Sequence, residues 1–504
     1  MNITFAEYKD KVRACWLGKN IGGTLGAPFE CIRGVYDITY YTHDLSQGVL
    51  PNDDLDLQLC WLNAAEKYGR EVNAQVLGEY WLNYVVADWS EYGAGKNNLR
   101  FGLLPPVSGW YHNHNKDSCG CFIRSEIWAC LAPGHPEIAV KYAYEDAICD
   151  HADEGVYGEL FCAALQSAAF VESNMEKLVD IAKAYIPADC DVAKAVDAAL
   201  DCYKQGMDWR EARKAILKLV PGSFGMYRGY TDQSPEEDVP VGQLGYDAPS
   251  NIGLMMLGWA YGEGDFSKSI CIAAGCCEDG DCTAGTLGAT LGILYGTKCI
   301  DEKWLAPIGD EIKTISLNRT ASEFHVPKTV TELTRRVVNL MPTFMYGQYD
   351  LTEDGIIEFH DVPDVHRGRV RRGTMTFTTM REELCGNFVG VRKSSPLLDV
   401  ILTYEDKDIH IRSGEVKPFK LRIVNQFHTH QWLVVKLHLP EAWQVLPGKE
   451  MSVYLDNYHG GCGVTEHRFE ILPQDITHAR YEILVEIKAI GRPTSVYLPI
   501  VLLP

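Results

Sequence analysis

The sequence is short of positive charge. Against 68 Asp and Glu stand 47 Lys and Arg, for a formal net charge of −21, so the chain lacks the basic surface that non-specific binding to nucleic acid or anionic membrane requires. No run of about 18 uncharged apolar residues occurs. Charges are scattered through Met1 to Lys19 where a basic and then apolar leader would stand. These absences predict a cytoplasmic protein with no nucleic-acid or membrane partner, although a local basic pocket for a phosphorylated small molecule stays compatible with them. Long-period repeats and low-complexity tracts are also missing. Cysteine is abundant, at 17, but the paired spacing of a structural zinc site is not found in Cys119-Gly120-Cys121 or Cys276-Cys277. The scatter of cysteines through apolar runs such as Leu160-Phe161-Cys162-Ala163-Ala164 predicts reduced, buried thiols.

What is present is an ordinary globular composition, 46% hydrophobic and 23% charged, in a chain of 504 residues. That length exceeds what one core supports, so at least two domains are expected. Residues 1–345 read as mostly helical. Helical spacing marks Asn73 to Trp89, Cys119 to Ala132, Pro136 to Cys149, Glu154 to Val171, Ile252 to Tyr261 and Phe266 to Ala274, and Thr329-Val330-Thr331-Glu332 has capping-box spacing before a last helix. Glu91 to Trp110, rich in Gly, Asn and Pro, reads as a loop bordering a site, and Val220 to Asn251 as an irregular lobe or lid. Residues 346–504 change to alternation, as in Tyr481, Ile483, Val485 and Ile487, which predicts a β-sandwich. His428-Thr429-His430 there reads as plain surface histidines.

The stretch with most chemistry is Cys276-Cys277-Glu278-Asp279-Gly280-Asp281-Cys282-Thr283. Two carboxylates one residue apart at a helix start can converge on a hard cation, and the helix N-terminus itself favours negative charge. Gly288, Gly292 and Gly296 then recur every four residues, a smooth stripe against which another backbone can pack. Gly18, Gly22 and Gly26 repeat at the same interval, which makes the first helix the matching partner. Asn52-Asp53-Asp54 opens a second acidic helix. Two such helix starts, far apart in sequence, point to one shared metal site, although an Asp-x-Asp taken alone is more often a solvated loop.

Together, Gly18 to Glu30, Asn52-Asp53-Asp54 and Asp279-Gly280-Asp281 with Gly288-Ala289 resemble the ADP-ribosylglycohydrolase family over about residues 5–345. The resemblance implies an all-α enzyme domain holding two divalent cations, Mg2+ or Mn2+, followed here by a smaller β-sandwich that it does not cover. It implies metal ligands among Asn52, Asp53, Asp54, Asp279, Asp281 and Cys282, with Thr283 as a substitute oxygen donor. It implies substrate contacts from Gly120 and Arg124, in a glycine segment ending on an arginine, and from His151. Three positions depart from the family pattern: Asn52 stands for Thr, Cys282 for Ser or Thr, and the glycine segment matches loosely. Soft sulfur at Cys282 suits magnesium poorly.

Hydrolysis at an anomeric carbon needs an activated water and stabilisation of positive charge developing on the sugar ring. Paired cations can hold vicinal ribose hydroxyls and a water while a carboxylate takes the proton. Glu30 is the first candidate for that carboxylate and Asp54 the second. The expected function is metal-dependent hydrolysis of an ADP-ribosyl or related ribosyl substrate. Alternatives are a hydrolase of another small N- or O-glycoside, and a catalytically silent ADP-ribose-binding or structural member. The bland readings are an exposed charge at Arg124 and a satisfied structural histidine at His151.

Overall fold

The computed structural model describes residues 2–30, 32–220, 246–318, 324–360, 389–395, 397–426, 429–457 and 463–504. Most of the expected Val220 to Asn251 lobe, and His428, lie outside them. The chain divides into two compact units, one of residues 1–96 with 112–370 and one of residues 97–111 with 371–504.

The first unit is helical. Its helices are α1 (Phe5–Gly26), α2 (Asp53–Tyr68), α3 (Ala74–Tyr84), α4 (Ser90–Arg100), whose last residues belong to the second unit, and, after the short α5 (Val107–Trp110) of that unit, α6 (Glu126–Leu131) and α7 (Pro136–Ala147). They continue with α8 (Glu154–Ala168), α9 (Met175–Lys183), α10 (Asp191–Lys204), α11 (Trp209–Leu219), α12 (Ala248–Gly262), α13 (Phe266–Gly275), α14 (Gly280–Tyr295), α15 (Glu302–Leu305) and α16 (Val330–Phe344). A capping box opens α1, with Glu7 N donating to Thr4 Oγ1 at 3.0 Å and Thr4 N donating to Glu7 Oε2 at 2.8 Å. Thr329 caps α16, accepting from Glu332 N at 3.1 Å, while Glu332 Oε2 accepts from Lys328 N at 3.1 Å, so only half of the expected capping box forms.

Helices α1 and α14 form the tightest contact, backbone on backbone. A Cβ added at Gly22 would lie 2.6 Å from Gly285 N, and one at Gly292 would lie 2.8 Å from Cys15 N. The two glycine stripes therefore meet, as expected. Gly296 falls outside the stripe: it ends α14 with φ 73°, a left-handed termination that favours glycine.

Two local expectations are corrected. Glu91 to Trp110 is not a loop throughout, because Ser90–Arg100 forms α4. Its glycines serve close packing, Gly95 facing Asp150 so closely that an added Cβ would be 2.7 Å from Asp150 Cβ. Cys119 to Ala132 is not one helix: it holds a 3-10 turn at Phe122–Arg124 and the short α6. Arg124 N and Ser125 N bond three residues back, to Cys121 O at 3.1 Å and Phe122 O at 3.4 Å, so the chain there winds as a 3-10 turn instead of an α-helix.

Strands β2 (Tyr349–Leu351) and β3 (Ile356–Phe359) join β1 (Asn2–Thr4) in a small antiparallel sheet of the first unit, in the order β1-β3-β2. In the second unit β4 (Gly390–Ser394), β5 (Leu398–Tyr404), β6 (Lys417–Asn425), β8 (Gln444–Leu446) and β10 (Val464–Leu472) form one sheet in the order β4-β5-β6-β10-β8. Strands β7 (Gln431–His438), β9 (Glu450–Leu455), β11 (Tyr481–Ala489) and β12 (Ser495–Leu502) form the other, in the order β12-β11-β7-β9. Alternate residues of both sheets share one apolar core, Leu402, Leu421 and Phe469 meeting Leu433, Val485 and Leu498. This is the sandwich that the alternation predicts.

Candidate functional site

The α1 and α14 contact delivers the start of α14 to the end of α1, where Glu30 follows. Just before α14, Cys277 and Glu278 both adopt left-handed backbone, φ 56° and 63°, which a β-carbon disfavours. Ion pairs hold that conformation: Glu278 accepts two bonds from Arg33, at 2.8 and 2.9 Å, and one from buried Arg213 at 3.2 Å. Glu278 N also donates to Ile32 O at 2.8 Å. The turn so fixed sets Asp279 at the N-cap of α14 and Asp281 in its first turn.

Asn52 caps α2, its Oδ1 accepting from Asp54 N at 2.7 Å, and its Nδ2 donates to Asp281 Oδ2 at 3.2 Å. One amide thus ties the two acidic helix starts together. Cys282 Sγ lies 3.6 Å from Asp54 Oδ1, and Tyr92 donates its hydroxyl to Asp53 Oδ2 at 3.0 Å. Thr283 is turned away, donating to Gly280 O at 3.1 Å. Glu30, Asp53, Asp54, Asp279, Asp281 and Cys282 all line one cleft.

Electrostatics within the cleft are unbalanced. Burial, then the Asp54 and Asp281 charges, push Asp53 well above the usual carboxylate range, and burial and Cys119 do the same to Asp279. Glu30 is exposed by surface area but lies beside the cluster. The Asp281 charge first, then burial and the Asp53 and Asp54 charges, raise it to about 9. Asp54 reaches about 6, burial being partly offset by Lys19. Lys19 is buried, with Nζ 3.2 Å from Asp54 and 3.2 Å from Glu126. Burial opposes its charge, but Glu126 and Asp54 outweigh burial and raise its pKa. This internal cation neutralises one side of Asp54 only, leaving the cluster facing the cleft in need of positive charge.

The donor set fits divalent cations. Ligand atoms of Glu30, Asp279 and Asp281 lie within 4.8 Å of one another, and so do those of Cys119, Asp279 and Cys282. Asp279 is 2% exposed, and its Oδ1 has no hydrogen-bond donor among the described residues. A buried acceptor left in that state is costly unless a cation meets it.

The opposite wall carries Trp89, Ser90, Glu91, Tyr92, Ser118 and Gly120. Gly120 lines the cleft, and any side chain there would overlap the Glu91 carboxylate. Arg124 lies behind the wall: fully buried, it bonds Asp146 at 2.9 Å, Asp150 at 2.5 and 3.1 Å, and Gly120 O at 2.9 Å. His151 is buried too, with Nε2 2.8 Å from Ser118 Oγ and Nδ1 3.0 Å from Asp150 Oδ1. Neither Arg124 nor His151 lines the cleft. They hold the loop that carries Ser118 and Gly120. Sequence reasoning missed Lys19, Glu91 and Tyr92, which no local motif marks, and set Cys119 aside because its spacing does not fit a structural zinc site. Only the expectation that the segment from Glu91 borders a site pointed towards two of them.

No helix among the described residues is long and apolar enough to cross a membrane. A search of curated proteins gave no match. Among solved structures, one described as an ADP-ribosylglycohydrolase-related protein complex is similar at 17% identity and a TM-score of 0.44, with 68% of this chain and 100% of that chain covered. Another, the GAE domain of GGA2p from Saccharomyces cerevisiae, is similar at 17% identity and a TM-score of 0.15, over 23% of this chain and 97% of that one. The family model for ADP-ribosylglycohydrolase matches residues 4–339, which include every cleft residue described above. This chain belongs to the ADP-ribosylglycohydrolase family, and that membership supports a glycohydrolase type of function.

Proposed function

We propose that the protein is a metal-dependent glycosyl hydrolase that cleaves the anomeric bond of an ADP-ribosyl or related ribosyl substrate. The observation that carries this reading is the meeting of two acidic helix starts, Asp53-Asp54 and Asp279-Gly280-Asp281, with Glu30 in one cleft. Asp53, Asp54, Asp279 and Asp281 would hold one or two cations of the magnesium or manganese class. Bound there, such ions polarise sugar hydroxyls and lower the pKa of water.

The chain's own residues divide the remaining work. Glu30 sits at the exposed edge of the cluster and takes or returns the proton of the attacking water. Its raised pKa keeps it protonated at neutral pH, and positive charge in the cluster lowers that pKa towards the range of a general base. Asp54 is held by Lys19 on one side and faces the cleft with the other, which suits a ligand better than a base. Asn52 spends its oxygen on the α2 cap and its N–H on Asp281, so its role is to fix the spacing of the two acidic pairs. Thr283 secures the first turn of α14 through Gly280 O. Gly120 leaves room for the Glu91 carboxylate at the cleft wall, while Arg124 and His151 hold that wall in place. The described cysteines are all free, in keeping with a reducing, cytoplasmic setting.

A hydrolysis screen with added magnesium or manganese, against ADP-ribosylated arginine and serine peptides, ADP-ribose derivatives and nucleosides, tests the reading. Release of a ribosyl product by the wild type, lost in Asp281→Asn, is the expected result. Cleavage of none of these substrates with either ion overturns it.

A further inference from the structure

The cleft holds two sulfurs that the magnesium-type reading does not use. Cys119 comes from the wall loop and Cys282 from the first turn of α14, 163 residues apart (282 minus 119). Both thiols are buried, and their Sγ atoms and an Asp279 oxygen lie within 4.8 Å of one another. Cys119 Sγ donates to Asp279 Oδ2 at 2.7 Å, while Asp279 Oδ1 has no donor among the described residues. The thiols are thus turned to the same carboxylate that also closes the all-oxygen group of Glu30, Asp279 and Asp281.

We propose that Cys119, Asp279 and Cys282 form a second, thiolate-bearing metal position for a softer divalent ion of the zinc or ferrous class, next to the oxygen-only position and sharing Asp279 with it. The inference builds on the proposed metal-dependent cleft and adds to it a ligand and a metal class. Ligands bonded at about 2.0–2.3 Å in a tetrahedral shell stand roughly 3.3–3.8 Å from one another, so atoms already inside a 4.8 Å envelope need only small side-chain rotations. Thiolates select borderline and soft ions where carboxylates alone do not. Binding turns both thiols into thiolates and releases their two protons to solvent, with no change of oxidation state. The set supplies two sulfurs and one oxygen. That leaves a fourth position towards the cleft, as in sites that bind water or substrate on the metal. The two positions then differ in hardness: one takes a magnesium-like ion, the other a zinc-like one.

Cobalt(II) replaces zinc in such sites and reports sulfur ligation by a thiolate-to-metal charge-transfer band in the near ultraviolet. The full chain, reduced with a non-chelating phosphine and stripped of metal, is titrated with cobalt(II). The band should appear at one equivalent, fall by about half in Cys119→Ser and in Cys282→Ser, and vanish in the double variant. Manganese(II) binding to the double variant, read by electron paramagnetic resonance, should persist and shows that the cleft still folds. No band in the wild type, or an equal band in the double variant, overturns the proposal. Hydrolysis with magnesium but no cobalt band removes this inference alone. A band that follows both cysteines, in a protein that hydrolyses nothing in the screen, leaves this inference standing and removes the proposed function.

Discussion

Substitution of Gly22 by alanine tests whether the α1 and α14 contact sets the acidic cleft. The new Cβ would stand 2.6 Å from Gly285 N and closer still to the Ala284 carbonyl, whereas ordinary contact begins at 3.4 Å. The helices must therefore separate by at least about 0.8 Å (3.4 minus 2.6). Overpacking of this kind costs about 1–3 kcal/mol, and an obstruction made of the partner helix's own backbone belongs at or beyond the top of that range. Replacing glycine in a helix returns about 1 kcal/mol, so a net loss of about 2 kcal/mol is expected. Asp281 lies three residues before Ala284 on the same helix and moves with it, and misplacements near 1 Å can cost about 100-fold in rate. Urea unfolding and manganese(II) titration of Gly22→Ala read the two effects. Both should fall together, and adding Ala284→Gly should rescue neither, because the obstruction is main chain. Unchanged stability with unchanged metal affinity, or rescue by Ala284→Gly, would refute the argument.

Further outcomes follow from the site's charges. Asp281→Asn should lower metal affinity and activity by orders of magnitude while the fold persists; a metal-loaded, active variant would contradict the proposed centre. Glu30→Gln should reduce kcat far more than metal occupancy, and equal losses of both would make Glu30 a ligand instead of a proton carrier. With Glu30 raised to about 9 and Glu126 to about 7 from 4.5, the metal-free folded state binds protons that the unfolded state has already released. Its stability should decline as pH rises from about 4.5 towards 9, with the slope flattened by divalent cation. Melting temperatures that climb over that range would falsify the assignment. Arg124→Met should leave Asp146 and Asp150 buried without their guanidinium, keeping the Trp128 and His151 contacts, at a cost of about 3–5 kcal/mol. A stable Arg124→Met protein with weakened substrate binding would place the guanidinium on the substrate.

The features legible in the sequence were those with a period or a short motif. Glycines at intervals of four marked both faces of the α1 and α14 contact, and alternation marked the strand Tyr481–Ala489. The acidic pairs showed themselves as helix starts because Asn52 and Asp279 occupy cap positions. Other features depend on what the chain meets in space. α4 was hidden because Gly93 and Gly95 look like a loop in sequence, while in the fold they admit the Asp88 carbonyl and the Asp150 side chain. An arginine after a glycine segment has the same spelling whether it faces a ligand or, as Arg124 does, two buried aspartates. Cys119 gains meaning only beside Asp279 and Cys282, a proximity that no spacing rule encodes.

The meeting of α1 with α14 also bears on how the protein is made. Gly22 leaves the ribosome 262 residues before Ala284 (284 minus 22), an interval of roughly 13–50 s at about 5–20 residues per second. Throughout that time the first helix lacks the backbone surface it meets most closely, although Glu126, Cys130 and Ala169, which it also contacts, emerge earlier. Its apolar residues, Trp16, Leu17 and Ile21 among them, are fully or almost fully covered in the finished fold, and that cover is complete only once α14 is made. The acidic cleft is therefore a late product of synthesis, closed only when the chain returns to its own beginning. Factors that shelter a nascent amino terminus should raise the yield of active protein more than those acting on the completed chain.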